Sequence, residues 1–246
     1  MADSRESRAR AEEIKFVVDV PLGQRIREWA RARLQADPHG AGPFGDQYHT
    51  STLYLDTEAL DVFQRRGSYG RAKYRIRRYA NSDYVFLERK LRKPRLLVKR
   101  RTRMDIDRID PAVRADDRHR AEWFYERVAV RRLQPACLIS YDRTARAIET
   151  SVGTARLTLD ENVRGAAPCG YQIADVSVTG APVLPDRVIV ELKYRDRLPA
   201  IFRELVETFA LQTQTASKYR LSMSALGHIE AAGAPLAAAA LNEVRD

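Results

Sequence analysis

The sequence predicts an α+β protein: an antiparallel, closed β-barrel tunnel of about eight strands with a charged lumen, surrounded by amphipathic helices. Three observations lead there. Segment after segment alternates apolar and charged residues with period two, the mark of strands with unlike faces. The charged faces are strongly biased to cations, and like charges opposed across a ladder destabilise it. Helical stretches between the strands carry apolar stripes able to cover the uncharged side. An ordinary sheet, one face on a core and one in water, also alternates. Serial cationic faces, however, call for a shared counter-charge, and a barrel closed with those faces inward makes a place for it.

The elements follow in order. Residues 1–11 read as a flexible N-terminal lead-in, and the opening MADSRESRARAEE lacks the apolar run of a secretory signal. Ile14, Phe16 and Val18 alternate with Glu13, Lys15 and Val17, which predicts a strand. Pro21 opens a helix to about Ala36, with Leu22, Ile26, Trp29, Ala30 and Leu34 on one face. Glycine and proline make 37–46 a loop. A strand over 48–56 precedes a short helix at 57–65. Residues 70–79, 83–91 and 95–105 form a meander with tight connections at Asn81-Ser82 and Lys93-Pro94. A helix over 117–133 presents Trp123, Phe124 and Val128. Strands return at 136–145, 153–161 and 187–195, with a glycine- and proline-rich stretch at 162–186. Helices begin at Pro199, carrying Phe202, Leu205, Val206 and Phe209, and near Ser217. The alanine-rich 229–246 is a C-terminal helix or tail, leaving 12–228 as one domain.

Composition narrows the function. With 44% hydrophobic and 31% charged residues, the 246-residue chain can bury a core. Its net charge of +10 favours acidic partners: nucleic acid, an anionic membrane, or phosphate-rich small molecules. Only seven lysines stand among 36 arginines, and all but Lys93 fall within the alternating patterns. Such sites suit a compact ammonium point charge and not a guanidinium fork. Two cysteines without a CxxC pair and four scattered histidines argue against a zinc site. No apolar run is long enough to span a membrane, so cytoplasmic is the expected location. No helix-turn-helix, zinc-finger or RNA-recognition signature accompanies the charge, so nucleic acid is not the expected partner.

Period two then sorts the site. Lys73, Arg75 and Arg77 share one face, as do Glu88 and Lys90, Lys99 and Arg101, Arg156 and Asp160, and Glu191 and Lys193. Arg143 aligns with Ile139 and Tyr141, and Lys15 with Glu13. With Lys218 these make eleven cations against four carboxylates, Glu13, Glu88, Asp160 and Glu191. Each cation gains from a phosphate oxygen in a desolvated channel. Carboxylates among phosphates invite a hard divalent cation, Mg2+ or Mn2+, with Glu191 as the leading ligand; salt-bridge partners are the other reading of the acids.

Nine motifs in order carry a family resemblance: Glu13-x-Lys15, the run Ser51 to Thr57, Lys73-x-Arg75-x-Arg77, Leu87-Glu88-x-Lys90, Lys99-x-Arg101, Tyr141-x-Arg143, Arg156-x-x-x-Asp160, Glu191-x-Lys193-Tyr194 and Ser217-Lys218-Tyr219. The chain resembles the VTC (vacuolar transporter chaperone) domain, the polyphosphate polymerase branch of the triphosphate tunnel metalloenzymes (CYTH-like), over about residues 12–226. The resemblance implies a tunnel barrel, a divalent metal, and transfer of the terminal phosphoryl of ATP onto a polyphosphate chain. It implies that the eleven cations grip phosphates and that Glu191 holds the metal. Lys218, with Arg75 and Arg77, would act at the reacting phosphate. Family relatives work beside membrane proteins, so a separate membrane partner is conceivable. One position departs from the wider superfamily. Its hydrolases and cyclases open with Glu-x-Glu-x-Lys, whereas the in-phase residue here is Ala11. Losing that acid weakens a two-metal hydrolytic site. A tripolyphosphate hydrolase and a non-catalytic polyphosphate binder remain the alternatives.

Overall fold

The computed structural model describes residues 5–9, 11–93, 96–111 and 121–228. The expected connection at Pro94, the start of the helix near residue 117 and the C-terminal 229–246 lie outside the described residues.

One antiparallel sheet dominates. Its strands are β1 (Arg5–Ala9), β2 (Ala11–Asp19), β3 (Gln35–Ala36), β4 (Gln47–Asp56), β5 (Ala72–Tyr79), β6 (Tyr84–Lys93), β7 (Leu96–Asp105), β8 (Gln134–Thr150), β9 (Gly153–Ala166), β10 (Ala181–Pro182) and β11 (Arg187–Arg195). The order is β1-β7-β6-β5-β4-β8-β9-β11-β2, with β10 beside β9 and β3 beside β8. The helices are α1 (Val20–Arg33), α2 (Glu122–Val130), α3 (Ala200–Thr208) and α4 (Lys218–Ala225). Consecutive strands β1 and β2 stand at opposite ends of this path. Ala9 and Ala11 are two residues apart, so their Cα atoms lie within about 7 Å, and the sheet curls until its edges approach there. Among the described residues no ladder joins β1 to β2, so hydrogen bonds do not close the expected barrel.

Several boundaries differ from expectation. Arg5–Ala9, expected as part of a flexible lead-in, pairs with β7 from Arg5↔Arg101 to Ala9↔Leu97. Residues 57–65 make turns and not a short helix, with Leu60 and Arg65 at positive φ; a 3-10 turn follows at Gly67–Arg71. Polar termini hide the true length of β8 and β9. Ala147↔Arg156 and Thr150↔Gly153 extend their hairpin well past residue 145.

The apolar faces pack outward on the helices, as the patterning requires. Phe16, Val18, Leu157, Leu159, Val188 and Val190 meet Ile26 and Trp29 of α1 and Phe202 and Leu205 of α3. Leu53, Leu55, Ile76, Val85 and Leu87 meet Trp123, Phe124 and Val128 of α2. Each such side chain, fully buried, contributes about 1.5–3 kcal/mol. Asp19 caps α1 by accepting the Leu22 N–H at 2.8 Å, and Pro21 pre-sets its first turn. Gly23 has a packing reason inside that helix, since a Cβ there would lie 2.7 Å from Val188 Cγ2. Gly23→Val is therefore expected to lower stability by about 1–3 kcal/mol, read as a drop in the thermal unfolding midpoint.

Helix α4 packs differently. It lies on β8 and β9 on the charged side of the sheet, with Ser222 against Gly165 and with Tyr219 and Met223 buried. Tyr219 stacks on Tyr54 at 5.1 Å between ring centroids and donates its hydroxyl to Asp56 Oδ2 at 2.5 Å. Asp56, fully buried at the end of β4, also accepts the Val62 and Phe63 N–H groups at 2.8 and 2.9 Å. One carboxylate thus ties the 57–65 turns and α4 to the sheet, and so sets where Lys218 sits.

Candidate functional site

Cross-strand partners share a face, so the registers lay out the charged interior row by row. Lys73 faces Lys90, and Lys90 faces Lys99. Arg75 faces Glu88, and Glu88 faces Arg101. Across the sheet, Arg143 faces Asp160, Glu191 faces Lys15, and Lys193 faces both Glu13 and Arg156. The registers thus set residues of one period-two face side by side, and Lys15, Lys73, Arg75, Lys90, Arg143 and Lys193 converge on one cavity. Lys90 on β6 reaches Glu13 on β2 at 3.0 Å, an ion pair between strands far apart in the sheet order.

Each acid sits between two cations. Glu13 meets Lys15 and Lys90, both at 3.0 Å. Glu191 meets Lys15 at 3.5 Å and also Lys193. Glu88 holds Arg75 Nε at 2.7 Å and Lys99 at 3.0 Å. Asp160 takes a fork from Arg143, at 2.6 and 2.7 Å, and also pairs with Lys218. Burial pushes all four carboxyls up, and the cations outweigh it. Glu13 comes down to about 2 under Lys15, Lys90 and Lys193. Glu88, Asp160 and Glu191 lie well below the ordinary carboxylate range. Conversely, burial pulls Lys73 down to about 8, helped by Lys15 and Lys90.

Two cations are held by hydroxyls instead. Lys73 donates to Ser217 Oγ at 2.9 Å and Arg77 Nε to Thr52 Oγ1 at 3.1 Å. Among the described residues neither makes an ion pair. Both line a cavity of about 510 Å3, together with Lys15, Arg75, Lys90, Arg143, Lys193 and Lys218, and with Glu13 and Glu191. Lys99 and Arg101 stand in the neighbouring row, Lys99 on Glu88 and Arg101 over the Phe86 ring at 4.2 Å. Arg156 turns to the Tyr48 hydroxyl at 2.7 Å and Asp37 at 2.9 Å, away from the cavity.

The cavity also has lining residues beyond the eleven expected cations; of these, Arg71 and Tyr141 share the period-two faces of Lys73 and Arg143. Arg65 and Arg71 come from the turns before β5, and Arg220 from the first turn of α4. Arg220 sits on a helix, where the period-two rule for strands does not apply. Tyr54 and Tyr141 are aromatic floor residues, 7% and 1% exposed. The Tyr141 hydroxyl is buried without a hydrogen-bond partner among the described residues, and Lys218 Nζ stands 4.8 Å from its ring centroid.

The acids offer one place for a divalent ion. Glu13 and Glu191 share the Lys15 ammonium, so their oxygens converge on a point already favourable to positive charge. Two carboxylates plus phosphate oxygens suit Mg2+ or Mn2+. Asp160 is close enough to Glu191 for the two charges to repel, but its oxygens are taken by Arg143 and Lys218. Glu88 is likewise taken by Arg75 and Lys99. Among the described residues no three histidine, cysteine or carboxylate side chains cluster as a metal cage by themselves.

The sequence profile of the VTC domain matches residues 10–227. The chain belongs to the VTC domain family. This agrees with the order of the nine motifs. Solved structures of the same fold include a candidate adenylate cyclase from Bacillus halodurans, with 13% identity and a TM-score of 0.53 over 85% of this chain and 95% of that one. Also similar, at a lower level, is a structure described as a candidate adenylyl cyclase from Hippeastrum with a dominant triphosphatase activity, at 14% identity and a TM-score of 0.48 over 86% of this chain and 94% of that one. No curated protein matches the sequence. No helix among the described residues is long and apolar enough to cross a membrane.

Proposed function

We propose that this VTC domain is a metal-dependent polyphosphate polymerase. It would transfer the terminal phosphoryl group of ATP to a polyphosphate chain lying along the cationic interior. The observation that carries the reading is the cavity itself. Five strands and α4 supply most of its cations, and two of them, Lys73 and Arg77, present their charge with no carboxylate to displace. A chain of phosphates offers one negative charge or more per unit and matches that repeat. In the reaction, a terminal oxygen of the growing chain bonds to the γ-phosphorus as the bond to the β,γ-bridging oxygen breaks, and ADP leaves. Such a transfer needs positioning and charge neutralisation more than a protein nucleophile. Arg75, Arg77 and Lys218 are the residues assigned to the reacting phosphate. Lys15, Lys90, Lys193 and Arg143 hold the flanking phosphates, with Lys99 and Arg101 along the chain's path; Arg156, turned to Tyr48 and Asp37, is not assigned a phosphate. Glu191 and Glu13 are assigned to Mn2+ or Mg2+, which would neutralise charge on the phosphate oxygens. Glu88 and Asp160, first considered with them, are assigned to orienting their paired cations.

Purified protein incubated with ATP and Mn2+ should produce a ladder of long phosphate chains on a gel, with ADP in proportion. Release of orthophosphate without chain growth would transfer the assignment to a triphosphate hydrolase. Binding of chains with no turnover under any metal would leave a binding module.

A further inference from the structure

The Tyr54 side chain occupies an unusual place. At Tyr54 the β4–β8 register shifts, so the strand bulges beside the cavity. Its phenolic oxygen accepts Arg75 Nη1 at 3.3 Å, and Arg75 Cζ stands 6.0 Å from the ring centroid. The ring is fixed from behind by the stack on Tyr219, itself anchored on Asp56. The side chain is 7% exposed and lines the cavity, so its polar atom is committed to the cation cluster and not to bulk water.

Every neighbouring element bears on that oxygen. β5 brings Lys73, Arg75 and Arg77, with Glu88 beyond Arg75, and β2 brings Lys15; farther round the same cavity stand Lys90 of β6, Lys193 of β11 and Lys218 of α4, with the acids Glu13 and Glu191. β8 contributes Cys137, its ladder partner, and Tyr141. α4 contributes the Tyr219 hydroxyl, which is spoken for by Asp56. The set facing Tyr54 is dominated by cations. Burial alone would push its phenol up, and Arg75, Arg77 and Lys73 bring it down to about 7.

We propose that the Tyr54 oxygen is the resident counter-ion of the empty cavity, and that a bound polyphosphate takes over its cations and returns the phenolate to phenol. The phenolate oxygen takes one proton from solvent as the polyanion arrives, and gives it back on release. This rests on the cavity being the polyphosphate seat. The sign follows from linkage. A polyanion beside Tyr54 raises the phenol's pKa, so the bound state holds more protons than the empty one. Affinity therefore falls as pH rises above about 7, by up to tenfold per pH unit, until the bound-state phenol itself ionises. Lys73, brought down to about 8, adds a step of the same sign. A signal specific to tyrosinate separates the two.

The test is an ultraviolet pH titration at 295 nm, without ligand, of the native protein and of Tyr54→Phe. One tyrosine should ionise near neutral pH in the native protein, and that step should vanish in Y54F. Saturating tripolyphosphate with Mn2+ should shift the step upward. Calorimetry of tripolyphosphate binding at pH 8 in two buffers should show proton uptake that Y54F reduces. If no tyrosine ionises below pH 9, or if Y54F leaves the step in place, the proposal is overturned. If tripolyphosphate fails to bind at all, the polyphosphate reading falls, whereas the ligand-free titration still decides the state of Tyr54. Should Y54F not fold, 13Cζ-tyrosine resonances of the native protein report the same ionisation.

Discussion

An Arg77→Met variant is expected to lose about two to three orders of magnitude in chain synthesis while remaining folded. The magnitude is that of removing one preorganised charge from a transition state in a water-poor site. Arg77 is 6% exposed and makes its contact with Thr52, so methionine replaces its length without stranding a buried acid. That distinguishes it from Arg75, whose removal would leave Glu88 short of a partner. Steady-state rates with ATP and Mn2+ should show the loss in kcat as well as in kcat/KM, because the charge that matters is the one developing on the transferring group. The thermal unfolding midpoint should move little. Full activity in R77M would remove Arg77 from the reacting phosphate.

Much of this site could be read from residue order alone, and the reason is the strand. A period of two fixes which side chains share a face without any knowledge of the turns between strands. Lys73, Arg75 and Arg77 were bound to face one way once 72–79 was a strand, and the antiparallel registers then set them against Glu88 and Lys90. Residues delivered by other geometry escaped. Arg65 enters from turns whose path depends on Asp56 gathering the Val62 and Phe63 amides. Tyr54 has the right phase, but its stack on Tyr219 joins residues on β4 and α4. The split among the acids was equally hidden. Glu13 and Glu191 share a cation, whereas Asp160 receives a fork from Arg143, and which of these occurs depends on side-chain reach across the sheet. Strand β1 was missed because its pairing is with β7, far along the chain, and its residues carry no apolar alternation.

Asp160→Ala is expected to destabilise the protein by about 3–5 kcal/mol, the cost of leaving buried charge without its partner. Asp160 is fully buried, and its two oxygens hold Arg143, itself 7% exposed, together with Lys218. Removing the carboxylate leaves two cations side by side, since both bond the same Asp160 Oδ2 and both lie near the Tyr141 ring, at 5.3 and 4.8 Å from its centroid. Asp160→Asn keeps the volume and one acceptor, so it should cost less. The same carboxylate gives stability a pH dependence of definite sign. Its folded-state pKa lies below the unfolded value, as do those of Glu13, Glu88 and Glu191. The unfolded chain therefore binds more protons at mildly acid pH, and stability is lost as pH falls below the ordinary carboxylate range, about 4. Denaturant unfolding between pH 7 and pH 3 should show native stability falling steeply. In D160A the fall should be shallower, because one of the carboxylates that must take up a proton is gone. An equal slope in the two proteins would mean that the Arg143–Asp160–Lys218 cluster contributes nothing to the folded state.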